Sequence, residues 1–173
     1  MSARHGRQPG VKVGANRVVS GVWMGSAPPD GMRVRDGGFD VVVLAAAEYQ
    51  PAASLFPGIE VIHAPLDDAR PSKRQIGIAL HAANEVVKRR REHKRVLVTC
   101  YLGLNRSGLI TALALVQLGV RPKTAIACVR AARGDRALHN EHFVSIIENG
   151  SVLFVAAAAA TKPLVNAFGR PWK

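Results

Sequence analysis

The chain has 173 residues, of which 48% are hydrophobic and 21% charged, so it can bury the core of one domain and is neither fibrous nor low-complexity. Two cysteines are too few for a disulfide scaffold, and the nine-residue apolar run at 152–160 is too short to span a bilayer. Lys and Arg number 24 against 12 Asp and Glu, and the net charge of +12 favours anionic partners: phosphoproteins, nucleic acid or acidic lipid.

Residues 1–14 are Gly-rich and basic with no apolar segment, which reads as a flexible tail and not as a secretory signal. One domain is expected over 15–150, followed by a C-terminal helix and tail over 151–173, the helix resting on the alanines before Thr161. Arg17-Val18-Val19 and Val22-Trp23-Met24 flank Ser20-Gly21, the pattern of two short strands joined by a hairpin turn, with Trp23 as a core anchor. Ser26 to Gly31 reads as a loop. Phe39 to Ala47 is a continuous apolar run, as in a strand buried on both faces. Glu48 and Tyr49 follow it. In an open α/β sheet ligands sit outside such strand ends, so both residues are within reach of a pocket rim, with an ordinary loop as the alternative.

Ile59 to His63 reads as a third strand, with a structural role for His63. Asp67 and Asp68 then stand between this strand and a long helix over Ser72 to His93. Ile76, Leu80, Ala83 and Val87 make the apolar stripe of that helix, and Ser72 suits its N-cap. It ends in Lys88-Arg89-Arg90-Arg91, with Lys94 and Arg95 close behind. Cations at a helix C-terminus complement its dipole, which is the reading preferred to a docking site.

Val96 to Leu118 organises the rest. Val96-Leu97-Val98 is an apolar, β-branched run suited to a buried strand, and it leads to Cys100. From Asn105 onward the pattern turns helical, with Leu109, Leu113 and Val116 on one side. A cysteine therefore ends a buried strand, in a loop that leads directly into a helix. The amides of such a loop make an anion-binding nest, the helix adds its positive end, and Arg106 adds a two-pronged charge clamp. A thiol in this field is expected as a thiolate, a nucleophile aimed at bound phosphorus, with Ser107 positioned to donate a hydrogen bond to the sulfur. Beyond it, Pro122 opens a helix running to Arg133 with Ala125, Ile126 and Val129 inward. A last core helix carries Phe143, Ile146 and Ile147. Cys128 reads as a packed core residue. No metal-ligand spacing stands out.

Cys100-Tyr101-Leu102-Gly103-Leu104-Asn105-Arg106-Ser107-Gly108 resembles the C-x5-R-[ST]-G signature of cysteine-dependent phosphatases, and the wider chain resembles their dual-specificity branch. Pro65-Leu66-Asp67-Asp68 is similar to that branch's P-x-x-D loop, 32 residues before the cysteine. The V-R-x-x-R-G and A-L-x-N-x-x-F patterns from Val129 to Phe143 are similar to its closing region. The resemblance covers roughly Arg17 to Glu148. It implies a single α/β domain with a central, mostly parallel sheet of about five strands and helices on both faces.

The implied reaction is hydrolysis of phosphate monoesters on proteins through a cysteinyl-phosphate, with Cys100 as nucleophile and no metal or cofactor. Arg106 and the amides of Tyr101, Leu102, Gly103, Leu104, Asn105 and Arg106 would hold the phosphate oxygens. Asp68 would be the general acid, Asp67 the alternative, and Ser107 would stabilise the leaving thiolate. Asn140 would buttress the loops, and Arg130, Arg133 and Arg136 would rim the pocket. Two departures stand out. Thr99 occupies the position where the family usually has histidine and would support the site by replacing one structural hydrogen bond with its hydroxyl, and Asn105 before the arginine resembles the RNA 5′-triphosphatase branch. RNA is thus the alternative substrate to a phosphoprotein or phosphopeptide. Phosphoinositides rank third because the loop lacks lysine. A catalytically idle phosphate-binding module is the alternative of another class. A reactive thiol points to the cytoplasm. Oligomeric state, and the choice between phosphotyrosine and phosphoserine or phosphothreonine, are not encoded in any motif.

Overall fold

A computed structural model describes residues 14–149; the expected N-terminal tail, apart from Gly14, and the expected C-terminal helix and tail lie outside the described residues. Among the described residues five strands and five α-helices follow one another. They are β1 (Asn16–Val19), β2 (Val22–Ser26), α1 (Gly31–Asp36), β3 (Val41–Ala46), β4 (Glu60–Leu66), α2 (Lys73–Arg91), β5 (Val96–Cys100), α3 (Arg106–Gln117), α4 (Pro122–Arg133) and α5 (Glu141–Glu148).

The strands form one sheet in the order β1-β2-β5-β3-β4. Only the β1–β2 hairpin is antiparallel, closed by the Ser20-Gly21 turn; the other three pairings are parallel. The mostly parallel five-stranded sheet expected from the sequence is therefore the one formed. β5 lies at its centre, paired with β2 from Val22↔Val96 to Ser26↔Cys100 and with β3 from Val41↔Val96 to Leu44↔Thr99. A central strand with a layer on each side has no polar face, which is why VVVLAA in β3 and VLVTC in β5 are buried throughout. Thr99 satisfies its hydroxyl there by donating to the Val43 carbonyl at 2.8 Å.

Alternate strand residues feed two cores. Val41, Val43, Val96 and Val98 pack with Ala83, Val86, Leu109, Leu113, Phe143 and Ile147 beneath the four later helices. Val42, Leu44 and Leu97 pack with Val34 of α1 and with Phe39, Phe56 and Ile59 on the other face. Helix α3 is central: Arg106 to Leu115 is buried without interruption.

The structure corrects three local readings. The loop read over Ser26 to Gly31 is shorter, because Ser26 belongs to β2 and Gly31 opens α1, where Asp30 Oδ1 accepts from Arg33 N at 2.9 Å. Six residues are too few to show a helical period, so α1 left no pattern to read. β4 runs on through Pro65 and Leu66, tolerated because β4 is an edge strand. In α2 the buried face is Ala79, Ala82, Ala83, Val86 and Val87, while Ile76 and Leu80 are only half-buried. Ala83 and Val87 of the expected stripe do face the core, joined there by Ala79, Ala82 and Val86. Ser72 and Gln75 cap α2 reciprocally, as the sequence suggested for Ser72.

Candidate active site

Three parallel strands end together. β5 stops at Cys100, β3 stops two residues before Glu48, and β4 stops immediately before Asp67 and Asp68. Residues 101–105 then carry the chain from β5 into α3.

Four successive carbonyls of that turn are held from outside it. Tyr101 O accepts from Ala27 N at 3.4 Å, and Leu104 O from Leu138 N at 3.3 Å. Leu102 O and Gly103 O accept from Nη2 and Nε of Arg133 at 3.2 and 2.9 Å. In a trans peptide the N–H points away from the carbonyl, so the amides of Leu102, Gly103, Leu104 and Asn105 are turned to the inner side of the loop. Among the described residues none of these four amides donates to a protein acceptor. The loop also requires a glycine. At Gly103 φ is +69°, and a Cβ would lie 2.4 Å from the carbonyl carbon of Gly25.

Arg106 opens α3 and is buried. Its Nη2 donates to Glu48 Oε1 at 2.7 Å; its Nη1 donates to Glu48 Oε2 and to the Leu66 carbonyl, the latter at 3.2 Å. Its Nε is buried and has no partner among the described residues. The hydrogen bond from Arg106 holds the Glu48 carboxyl below its ordinary value of 4.5 and raises the guanidinium in turn, against the opposing effect of burial on each. Cys100 Sγ lies 3.2 Å from Ser107 Oγ, both buried, and both cysteines of the chain are free thiols. Cys128 is only half-buried.

The two adjacent acids face different ways. Asp67 Oδ2 accepts from Gln75 Nε2 at 2.6 Å, in the first turn of α2. Asp68 is held by two amides: Asn105 Nδ2 donates to Oδ2 at 3.0 Å and Asn140 Nδ2 to Oδ1 at 3.2 Å. Asn140 also donates to the Ala69 carbonyl and caps α5, accepting from His142 N at 3.1 Å.

Asn105 occupies the N-cap position of α3 without capping it. Its Oδ1 instead accepts from His139 N at 3.0 Å and, more weakly, from Asn140 N at 3.4 Å. His139 Nδ1 is 2.9 Å from the Arg136 carbonyl and must donate there, which leaves Nε2 to accept from Asn105 Nδ2 at 3.1 Å. Asn105 thus ties the Cys100 loop to the Asp68 loop and to the segment before α5.

The sequence pointed to Cys100, Arg106, Ser107, Asp68 and Asn140, and the fold gathers them. It did not reveal the linking role of Asn105 or His139, because a side chain's partners 34–37 residues away leave no local signal. Glu48 was legible only as a carboxylate after a strand. Arg133 and Arg130 do not stand free at a rim. Arg133 is spent on loop carbonyls, with burial lowering its guanidinium and the charge of Cys100 acting oppositely; Arg130 donates to the carbonyls of Ala137 and Leu138, both at 3.2 Å. Arg136 is exposed. Among the described residues no group of three His, Cys, Asp or Glu is placed to hold a metal, and no helix is long and apolar enough to cross a membrane.

The chain has the fold of solved dual-specificity and protein tyrosine phosphatase structures. It is similar to Tk-PTP in its active form, at 26% identity over 80% of this chain and 99% of that one, with a TM-score of 0.67. Human DUSP28 matches at 21% identity over 84% and 97%, TM-score 0.71. PTPMT1 in complex with PI(5)P matches at 18% over 84% and 99%, TM-score 0.71. No protein-family model and no curated protein matches the sequence.

Proposed function

We propose that the protein is a cysteine-dependent phosphatase acting on phosphate monoesters of proteins. The observation that carries this reading is the nest itself: four loop amides without protein acceptors, beside a buried Arg106 whose Nε is unpaired and a free Cys100 thiol in contact with Ser107. A buried donor such as Arg106 Nε is costly unless an acceptor takes it up, and the free loop amides beside it suit an anion. In the first step the Cys100 thiolate attacks phosphorus, an S–P bond forms, and the P–O bond to the substrate breaks. Asp68 gives its proton to the departing oxygen. In the second step water attacks phosphorus, its proton passes to Asp68, the S–P bond breaks, and Ser107 donates a hydrogen bond to the returning thiolate. Arg106 and the loop amides bind the phosphate oxygens throughout. We place the reaction in a reducing compartment, the cytoplasm, because the thiol must stay free.

Asp68 accepts one amide hydrogen bond on each oxygen, which leaves a second lone pair on each for the proton it passes to the leaving oxygen. That tethering supports Asp68 over Asp67, which is occupied at the start of α2. The linking role of Asn105 also supplies a structural reason for an asparagine before Arg106, which weakens its value as a sign of RNA 5′-triphosphatase chemistry.

The test compares wild type with Cys100→Ser and Asp68→Asn on a phosphotyrosine peptide, a phosphothreonine peptide, a 5′-triphosphate RNA and a phosphoinositide. Cys100→Ser is expected to abolish release while retaining binding, and Asp68→Asn to slow peptide turnover by about 10²–10⁴-fold. Release from RNA or lipid alone would overturn the protein-phosphatase reading. Biological activity unchanged by Cys100→Ser would indicate a binding module.

A further inference from the structure

At the opposite end of the sheet from Cys100 lies a cleft of about 530 Å³ that the reaction does not use. Its cations come from three places: Arg17 on β1, Arg90 and Arg91 in the last turn of α2, and Lys94 and Arg95 in the link to β5. Ser20, Gly21, Trp23 and His93 complete the wall, and no carboxylate lines it. The cleft sits at the start of β5 and Cys100 at its end, roughly 15 Å away at the usual rise of a strand.

Complementing the α2 dipole does not account for this density of charge. A helix C-terminus carries the equivalent of about half a negative charge, whereas its last turn here holds four cations with two more beyond. Only part of the cluster is neutralised. Arg89 faces Glu60, Glu85 and Glu92, and Lys94 reaches Glu60 and Glu92 at 3.2 and 3.5 Å. Arg90 is positioned by the Ser20 carbonyl at 3.0 Å, and the Arg95 guanidinium lies over the Trp23 and Phe39 rings at 5.4 and 5.3 Å. Arg17 and Arg91 are exposed and have no ion pair among the described residues. Residues 1–13 and 150–173 contain no acidic side chain and add six more Lys or Arg.

We propose that this cleft is a second anion site, separate from the catalytic loop, for a compact polyphosphate: several phosphate groups clustered on one small ligand. Guanidinium forks favour phosphate, and a cleft of this size suits a small molecule. The cations surround the cleft from three elements. They do not run in a row, as an extended nucleic-acid strand would require. A ligand here leaves the catalytic mouth, at the far ends of the strands, open to substrate.

Trp23 reports on the site. The chain has two tryptophans, so the full-length Cys100→Ser, Trp172→Phe protein carries Trp23 alone. Titration with sodium tripolyphosphate at physiological salt is expected to change Trp23 emission saturably. Adding Arg17→Glu and Arg91→Glu is expected to weaken that midpoint by about tenfold or more. Both residues are exposed, and the milder Arg17→Gln, Arg91→Gln pair guards against misfolding. In the Cys100 protein the same pairs are expected to leave turnover of a small aryl phosphate unchanged. Vesicles carrying phosphatidylinositol bisphosphate form a second arm. A response to them as well as to tripolyphosphate assigns the ligand to a lipid headgroup; a response to the soluble anion alone assigns it to a free polyphosphate. No saturable response, a response indifferent to both charge pairs, or a response to single-stranded RNA without one to tripolyphosphate would overturn the proposal.

Discussion

At the scale of single residues, Asn105 does work that its position in the motif conceals. Its amide serves Asp68 and His139 while its carbonyl oxygen serves the 139–140 backbone. Asn105→Ala should therefore free the Asp68 carboxylate and lower kcat more than binding. Because the two side chains would then act as one unit, adding Asp68→Asn should cost far less than it does in the wild type, which a double-mutant cycle on kcat measures. Thr99 is simpler. Its buried hydroxyl bonds the Val43 carbonyl across the sheet, so Thr99→Val should cost about 1 kcal/mol of unfolding free energy. The Asn105 role is not visible in the local sequence, and for Thr99 the resemblance implied a supporting hydrogen bond without its partner.

At the scale of elements, the loop from β5 to α3 is shaped by what surrounds it. Arg133 of α4 and Leu138 pull its carbonyls outward, and β2 presses Gly25 against Gly103. Gly103→Ala meets both a left-handed φ and that backbone. It is expected to lose about 1–3 kcal/mol of stability to strain and most of its phosphate affinity, read by thermal unfolding and by inhibition with inorganic phosphate. Sequence patterning found β3, β5, α3 and α4 because each is long or uniformly apolar. It missed α1, which is too short to show a period, and caught the inner face of α2 only in part: Ala83 and Val87 are buried, while Ile76 and Leu80 lie at its edge and Ala79, Ala82 and Val86 complete it.

At the scale of the molecule, two carboxylates couple stability to pH. Glu48 and Glu60 are both held below their ordinary value of 4.5, each chiefly by a hydrogen bond from an arginine, Arg106 and Arg89 respectively. A carboxyl lowered in the folded state contributes its stability above its unfolded value. That contribution is lost as pH falls through the folded value. The urea midpoint should thus hold steady above about pH 5 and fall on acidification. Glu48→Gln and Glu60→Gln should each flatten that fall.

By itself the sequence determined the class of fold and pointed to one loop as the candidate site. Uniformly apolar strands demand two covering layers, and Cys100, Arg106 and Ser107 are neighbours in one short loop whose spacing is written in the chain. The tertiary structure alone decided which partners those residues meet. It brought Glu48 onto Arg106 across 58 residues, turned Asp68 to Asn105 and Asn140 while leaving Asp67 to α2, and spent Arg133 on the loop. It also wrapped Arg17, Arg91 and Arg95 around one cleft. The physical reason is the same in each case. Period and spacing report on backbone neighbours, whereas hydrogen-bond and charge partners are chosen by which strand ends the sheet order sets side by side.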